Sequence, residues 1–207
     1  MILPRDFDDR ATLIVSCATC SAKCSCTIRR GAVTSGRIVE VEAYIGEDDA
    51  ACHAAPGRTV RNAPLYGPPG FAYVYLNYGI HNLVNAVTEP RDSPAAVLIR
   101  ALEPVEGIEL MRQRRRRPAK GRRSTLVDIP DVSLCRGPGN LTMAMGITLG
   151  ENEADLCGSR LFIEDLGAAA GDVVVGPRIG IRVGTEHPWR FWLEGHPAVS
   201  KAPGGGR

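Results

Sequence analysis

Glu40 and Glu42 stand two residues apart in the run RIVEVEAY. Alternation along a strand puts such a pair on one face. Two carboxylates on one face can hold a metal, divide acid and base work, or simply meet water. Taken alone, the pair reads as surface charge. Beside Tyr44, one of them becomes a candidate general base, because an aromatic pocket that excludes water raises a carboxylate pKa. All five tyrosines (Tyr44, Tyr66, Tyr73, Tyr75 and Tyr78) fall within one short stretch. Half-buried strand positions account for most tyrosines of this kind. Clustered, they also make a stacking pocket for a planar ligand such as a nucleobase. His53 stands in a polar, glycine-bearing loop after Glu42, a place where a lone histidine is usually exposed. Asn85 and Arg100 interrupt apolar strand patterns. Burying either demands a partner or a ligand. For Arg100 the plainest partner is a strand carboxylate such as Glu40.

These residues need elements to hold them. Arg37 to Tyr44 reads as a strand with Val39, Val41 and Ala43 on one face and Glu40, Glu42 and Tyr44 on the other. A loop rich in Gly, Pro, Asp and Asn follows. FAYVYLNYGIHNLVNAVT reads as a hairpin with its turn near Tyr78–Gly79. Ala95 to Ala101 is a third apolar strand. A helical pattern runs from Glu103 to about Arg115, with Pro104 in its first turn and glutamates ahead of arginines. A loose basic loop (116–131) and a glycine turn opening a short helix (134–147) come next. LFIED, VVVGPRIGIRV and WRFWLEG read as strands, and the tail APGGGR as frayed. No internal repeat is present.

Composition narrows the function classes. The chain has 207 residues, 44% hydrophobic and 23% charged, which suits one soluble domain and excludes disordered, collagen-like and coiled-coil classes. No apolar run approaches the roughly 18–20 residues that span a bilayer. The acidic start MILPRDFDDR does not read as a secretory signal, so a cytoplasmic location is expected. Net charge is +2, yet residues 112–123 hold eight Lys/Arg and no acid. That segment reads equally as a solvated helix end or as a phosphate-contacting patch.

Cys17, Cys20, Cys24 and Cys26 share one stretch, and the C-x-x-C pair raises a zinc site. The second pair has C-x-C spacing, which a zinc ribbon does not use. The thiols could equally be without a role. A third reading lies in the gene. Arg outnumbers Lys 22 to 3, as GC-rich coding produces. Back-translated with GC-rich codons and read two nucleotides later, residues 18–27 become Asp-Leu-Leu-Gly-Lys-Val-Leu-Val-His. That string is an apolar helix end, a glycine stop and a strand start. A pair of compensating frameshifts around residues 16–30 is the hypothesis. If the segment is genuine, the fold is expected to lose an apolar helix and a strand.

GRIVEVEAYIGEDDAACHAAPGRT, YVYLNYGIHNLVNAV, VLIRALEPVEGIELMR and LCRGPGNL closely resemble the 3-methyladenine (alkyladenine) DNA glycosylase family. The resemblance runs from about residue 3 to 201 and fails mainly at 16–30, where the family has a segment like the recovered frame. It implies excision of damaged purines such as 3-methyladenine, 7-methylguanine, hypoxanthine or ethenoadenine, flipped out of double-stranded DNA. On the matching positions, it implies Glu42 as general base for water and Arg100 near that water and the phosphate of the flipped nucleotide. It further implies Tyr44, His53 and Tyr75 as the base sandwich, and Asn85 as the residue that disfavours the guanine 2-amino group. Tyr78 matches the wedge inserted through the minor groove. The Arg136–Asn140 turn, with Gly137, matches a backbone-contacting element; the family often has Lys where this chain has Asn140. No metal or other cofactor is implied, and with lysines only at 23, 120 and 201 a Schiff-base lyase step is not expected.

The expected architecture is α+β: a single domain over residues 1–207 with a mixed, largely antiparallel curved sheet, a protruding hairpin and flanking helices. A monomer is expected. The rivals are a non-catalytic nucleic-acid-binding module, a zinc protein organised by Cys17 to Cys26, and an inactive homologue. Metal analysis of purified protein decides the zinc reading. Resequencing codons 16–30 is expected to reveal two compensating shifts, and clean in-frame Cys codons would overturn that hypothesis.

Overall fold

The computed structural model describes residues 23–29, 32–116, 128–165 and 172–201. Its element order is β1 (Lys23–Arg29), β2 (Ala32–Ile45), a single 3-10 turn (Ala63–Tyr66), β3 (Ala72–Asn77), β4 (His81–Val87) and β5 (Ala95–Glu106). Helices α1 (Ile108–Arg116), α2 (Asp131–Leu134) and α3 (Pro138–Met145) follow, then β6 (Leu161–Asp165), β7 (Val173–Gly176) and β8 (Arg190–Leu193). The sheet runs β3-β4-β5-β2-β1-β6, and β8 joins β2 to β7. The architecture is α+β as expected, and every ladder among the described strands is antiparallel.

The long β2 is the spine of the sheet. Its whole second edge pairs with β5, while its first edge is shared by β1 and then β8. Strand parity sorts the side chains. Val74, Val84, Val97, Ile99, Val41 and Ala43 turn toward the main core, where Met111 of α1 and Leu141, Ala144 and Met145 of α3 cover them. The intervening residues Tyr73, Tyr75, Ala96 and Tyr44 belong to a second cluster with Cys52, Ala54 and Leu65 from the loop after β2. One face of β3, β4, β5 and β2 therefore packs on helices, and the other is left to build a cavity.

Three expectations need correction. Val39 does not share a face with Val41 and Ala43. The β2–β5 register shifts between Ile38 and Val41, so Ile38 joins the main core and Val39 packs with Ala101, Leu193 and Ala198. A bulge inserts a residue and breaks the alternation. Residues Glu103–Glu106 extend β5 rather than opening a helix, and α1 starts at Ile108. The switch is Gly107, whose φ of +73° turns the chain sharply. The strand expected over 173–183 stops at Gly176, because Pro177 has no N–H for a ladder.

Part of the basic run is structural. Arg112 pairs with Glu109, Asp128 and Asp131. Arg114 donates to the carbonyls of Ala144 and Met145 at the C-terminus of α3, where a cation complements the helix dipole. Residues 117–127 lie outside the described residues, as do Cys17 and Cys20. The cysteine stretch does supply a strand: β1 carries Cys24 and Cys26 and pairs with both β2 and β6. The expected loss of a strand there is not seen. Among the described residues no three His, Cys, Asp or Glu form a metal-holding group, and no helix is long and apolar enough to cross a membrane.

A Cβ at Gly107 would stand 2.3 Å from the Val33 carbonyl oxygen and 2.8 Å from Thr34 Cγ2. Gly107→Ala should destabilise the fold by at least about 2 kcal/mol, combining a left-handed backbone with a backbone clash. A fall in urea midpoint at unchanged m-value checks this.

Candidate active site

The face not covered by helices holds a cavity of about 350 Å³. Ala96, Leu98 and Arg100 of β5, Leu83 and Asn85 of β4, Tyr73 and Tyr75 of β3 and Tyr44 of β2 line it by strand parity. His53 comes from the loop after β2, Pro138 from the start of α3, and Ile179 from the loop after β7.

At its floor Arg100 leads into a buried charge cluster. Glu40 and Glu42 are 1% and 0% exposed, which overturns their reading as surface charge. Arg100 joins them, with Nε 3.0 Å from Glu40 Oε1 and Nη1 3.0 Å from Glu42 Oε2. The simple partner expected for Arg100 is present, but Arg100 also holds the second glutamate. The two carboxylates differ in surroundings. Glu40 accepts from Arg190 Nε at 2.7 Å and from the backbone N–H and hydroxyl of Ser200. It is enclosed by protein donors. Glu42 accepts from the Ile179 N–H at 2.6 Å and the Tyr44 hydroxyl at 2.9 Å. Its partners Tyr44, Arg100 and Ile179 all line the cavity. Desolvation pushes the Glu42 carboxyl above its ordinary 4.5, outweighing Arg100, the Ile179 N–H and the Tyr44 hydroxyl, which pull it down. Glu42 is thus a stronger base than a solvated carboxylate.

The aromatic walls are built in the same way. His53 Nδ1 lies 2.8 Å from the Tyr73 hydroxyl. Its ring meets Tyr75 edge-on at 4.4 Å, and Tyr75 stacks on Tyr73 at 5.4 Å. Burial, aided by Arg61, holds His53 below its ordinary pKa, so the ring is neutral at pH 7. Asn62 fixes the loop by donating to the His53 carbonyl at 2.7 Å. Asn85 is 5% exposed and donates to the Tyr73 carbonyl at 3.0 Å. Tyr66 stands apart, bonded to Glu47, and is a packing residue.

Tyr78 sits at the hairpin turn with φ of +49° and is 84% exposed, at the rim of the cavity. Arg136, Gly137 and Asn140 cluster at the start of α3 beside Pro138. Arg136 donates to the Pro197 carbonyl and Asn140 to the Arg136 carbonyl at 2.7 Å, so both side chains are turned to their own protein. Gly137 has φ of +88° and open space where a Cβ would be.

The sequence reading missed four contributors. Ile179 acts through its backbone, Ser200 through a contact 160 positions from Glu40, and Arg178 and Asp49 through a buried ion pair. Only Arg178 has a local signal, as a charge inside an apolar run.

Comparison with known proteins fits this geometry. The family model for methylpurine-DNA glycosylase (MPG) matches residues 20–197. The chain belongs to the methylpurine-DNA glycosylase family. It is 47% identical over 208 residues to a Methanocella arvoryzae protein named "Putative 3-methyladenine DNA glycosylase", covering 98% of both chains. Proteins of the same name from Prosthecochloris aestuarii and Burkholderia lata are 43% and 44% identical over 199 and 202 residues, covering 96% of this chain and 90% and 91% of theirs. Family and relatives together support a glycosylase that hydrolyses base–sugar bonds in DNA. The family match begins within the cysteine stretch.

Two measurements test the floor of the cavity. Carbon-13 NMR of the Glu42 carboxyl should show titration above pH 4.5, and Arg100→Met should move it higher still. The same variant should lose about 3–5 kcal/mol of stability, as removal of one partner from a buried pair does. A Glu42 midpoint at or below 4.5 in the wild type contradicts the burial argument.

Proposed function

We propose that this protein is a monofunctional DNA glycosylase that flips damaged purines out of double-stranded DNA and starts base excision repair. One observation carries the reading. A desolvated carboxylate, Glu42, lies just behind the floor of an aromatic cavity, bonded to Tyr44, Arg100 and Ile179 that line it, and the cavity rim holds an 84% exposed tyrosine. A base inside a duplex presents neither its glycosidic bond nor its edge, so the substrate must leave the stack.

In this reading Tyr78 fills the space the base vacates, a wedge entering from the minor groove. Tyr44, His53 and Tyr75 hold the flipped base between their faces. Asn85 meets its edge and disfavours a 2-amino group. A water held by Arg100 and the Ile179 carbonyl attacks the sugar C1′ as the glycosidic bond breaks. Glu42 takes the water proton, and the purine leaves with the electron pair of the bond. Arg100 also steadies the phosphate of the flipped nucleotide. Arg136, Gly137 and Asn140 approach the DNA backbone, which requires the Arg136 and Asn140 side chains to leave their present carbonyl partners.

No step asks for a metal or a cofactor. Among the described residues no lysine lines the cavity, so none of them places an amine to trap the sugar as a Schiff base. The protein would act as one domain and as a monomer, on cytoplasmic DNA. A non-catalytic binding module would have no use for a carboxylate held out of water at a cost.

The test is a duplex oligonucleotide with one hypoxanthine or ethenoadenine, treated with alkali after incubation. Strand cleavage should appear only after alkali and fall at least about a hundredfold with Glu42→Gln. Cleavage without alkali would show a lyase. No cleavage by folded protein on these lesions, with no release of 7-methylguanine from alkylated DNA, would favour the binding module or an inactive homologue.

A further inference from the structure

Arg178 is the best-buried cation outside the reaction floor. Its side chain and that of Asp49 are both 0% exposed. Nη1 donates to Asp49 Oδ2 at 2.6 Å and to the Ala43 carbonyl at 3.0 Å. Nη2 donates to Asp49 Oδ1 at 2.8 Å and to the Gly184 carbonyl at 2.9 Å. Nε has no hydrogen-bond partner among the described residues. The guanidinium carbon lies 4.7 Å from the Tyr44 ring centroid and 5.1 Å from that of Trp189. Trp189 in turn stacks on His187 at 4.0 Å and 7°. Tyr44 lines the cavity and Arg178 does not. One face of Tyr44 therefore carries a cation, and the same ring takes part in the cavity wall.

An aromatic ring attracts a cation through one quadrupole, shared by both faces. A ring already occupied on one face binds a second cation less well, because the two compete for the same electron density and repel through it. Asp49 balances the charge through Nη1 and Nη2, while the guanidinium carbon itself lies over the Tyr44 ring. The balance is partial at the ring.

We infer that Arg178, stacked behind Tyr44, sets the charge preference of the base pocket, favouring neutral purine lesions such as hypoxanthine over cationic ones such as 7-methylguanine. This inference rests on the glycosylase reading of the same cavity. It runs against the simple expectation that tyrosine walls favour a cationic base. Arg178 is a specificity residue that acts through Tyr44, without touching the substrate.

The test compares single-turnover release of hypoxanthine and of 7-methylguanine from otherwise identical duplexes. The double variant Arg178→Gln with Asp49→Asn removes both charges while keeping a hydrogen-bonding pair. It should raise the 7-methylguanine-to-hypoxanthine rate ratio by about three- to tenfold. Asp49→Asn alone leaves the cation unbalanced and should lower that ratio. This second variant decides the matter if the double variant does not fold. A purely structural role for the ion pair would slow both reactions alike, so an unchanged ratio in a folded variant of an active enzyme overturns the inference alone. A wild type that releases neither base overturns the glycosylase reading and this inference with it.

Discussion

The buried cluster of Glu40, Arg100 and Glu42 is the constraint around which the rest of the structure is arranged. Two carboxylates and one guanidinium lie out of water, each next in sequence to buried apolar residues of its strand: Val41, Ala43, Ile99 and Ala101. Each ion taken from water costs several kcal/mol unless its lone pairs and N–H groups find partners. Arg190, Ser200 and the Ile179 backbone supply them from distant parts of the chain, and Tyr44 supplies one from the same strand as Glu42. The last strands and the C-terminal segment are therefore tied to β2 by the same groups that enclose the floor of the cavity. Glu40 is saturated by this arrangement. Glu42 is not neutralised to the same degree, and its carboxyl stays above the ordinary value.

Around that floor, strand parity does most of the building. The helices cover one face of β2 to β5, and the uncovered face collects every aromatic and polar residue that its alternation allows. Tyr73, Tyr75 and Asn85 reach the cavity because Val74 and Val84 reach the core. A one-residue slip in the hairpin would exchange the two sets. The loop after β2 then closes the side of the cavity, pinned by the Asp49–Arg178 pair and by Asn62. Burial raises the Asp49 pKa, but Arg178 and the N–H groups of Ala51 and Ile45 outweigh it and leave the carboxyl below its ordinary range. The loop is thus anchored by charge as well as by its buried Cys52, Ala54, Leu65 and Tyr66.

Much of this was legible in the chain. The hairpin was plain from its alternation and its Tyr78–Gly79 turn, and the conflict of Asn85 and Arg100 with their apolar surroundings pointed to partners. What misled was local pattern read too far. The bulge between Ile38 and Val41 has no signature in RIVEVEAY, because each residue there is acceptable on either side of a strand. Glu103 and Pro104 suit a helix start as well as a strand end, and only the packing of β5 against Gly36 decides between them. The β7 pattern continued past Pro177 because the apolar residues after it serve the cavity wall rather than a ladder.

The amino-acid sequence by itself determined which residues of the hairpin share a face, which polar residues could not be left alone in an apolar strand, and the family to which the motifs belong. These are properties of short spacings, and short spacings obey the strand and helix periods wherever they occur. Tertiary structure alone decided the pairing of Glu42 with Ile179, of Glu40 with Ser200, and of Arg178 with Asp49 and Tyr44. Such contacts join positions more than a hundred residues apart. They exist because burial strips water from charged groups and leaves each one to the donors or acceptors that the folded chain brings near. No local pattern encodes that choice; the closing of the sheet makes it.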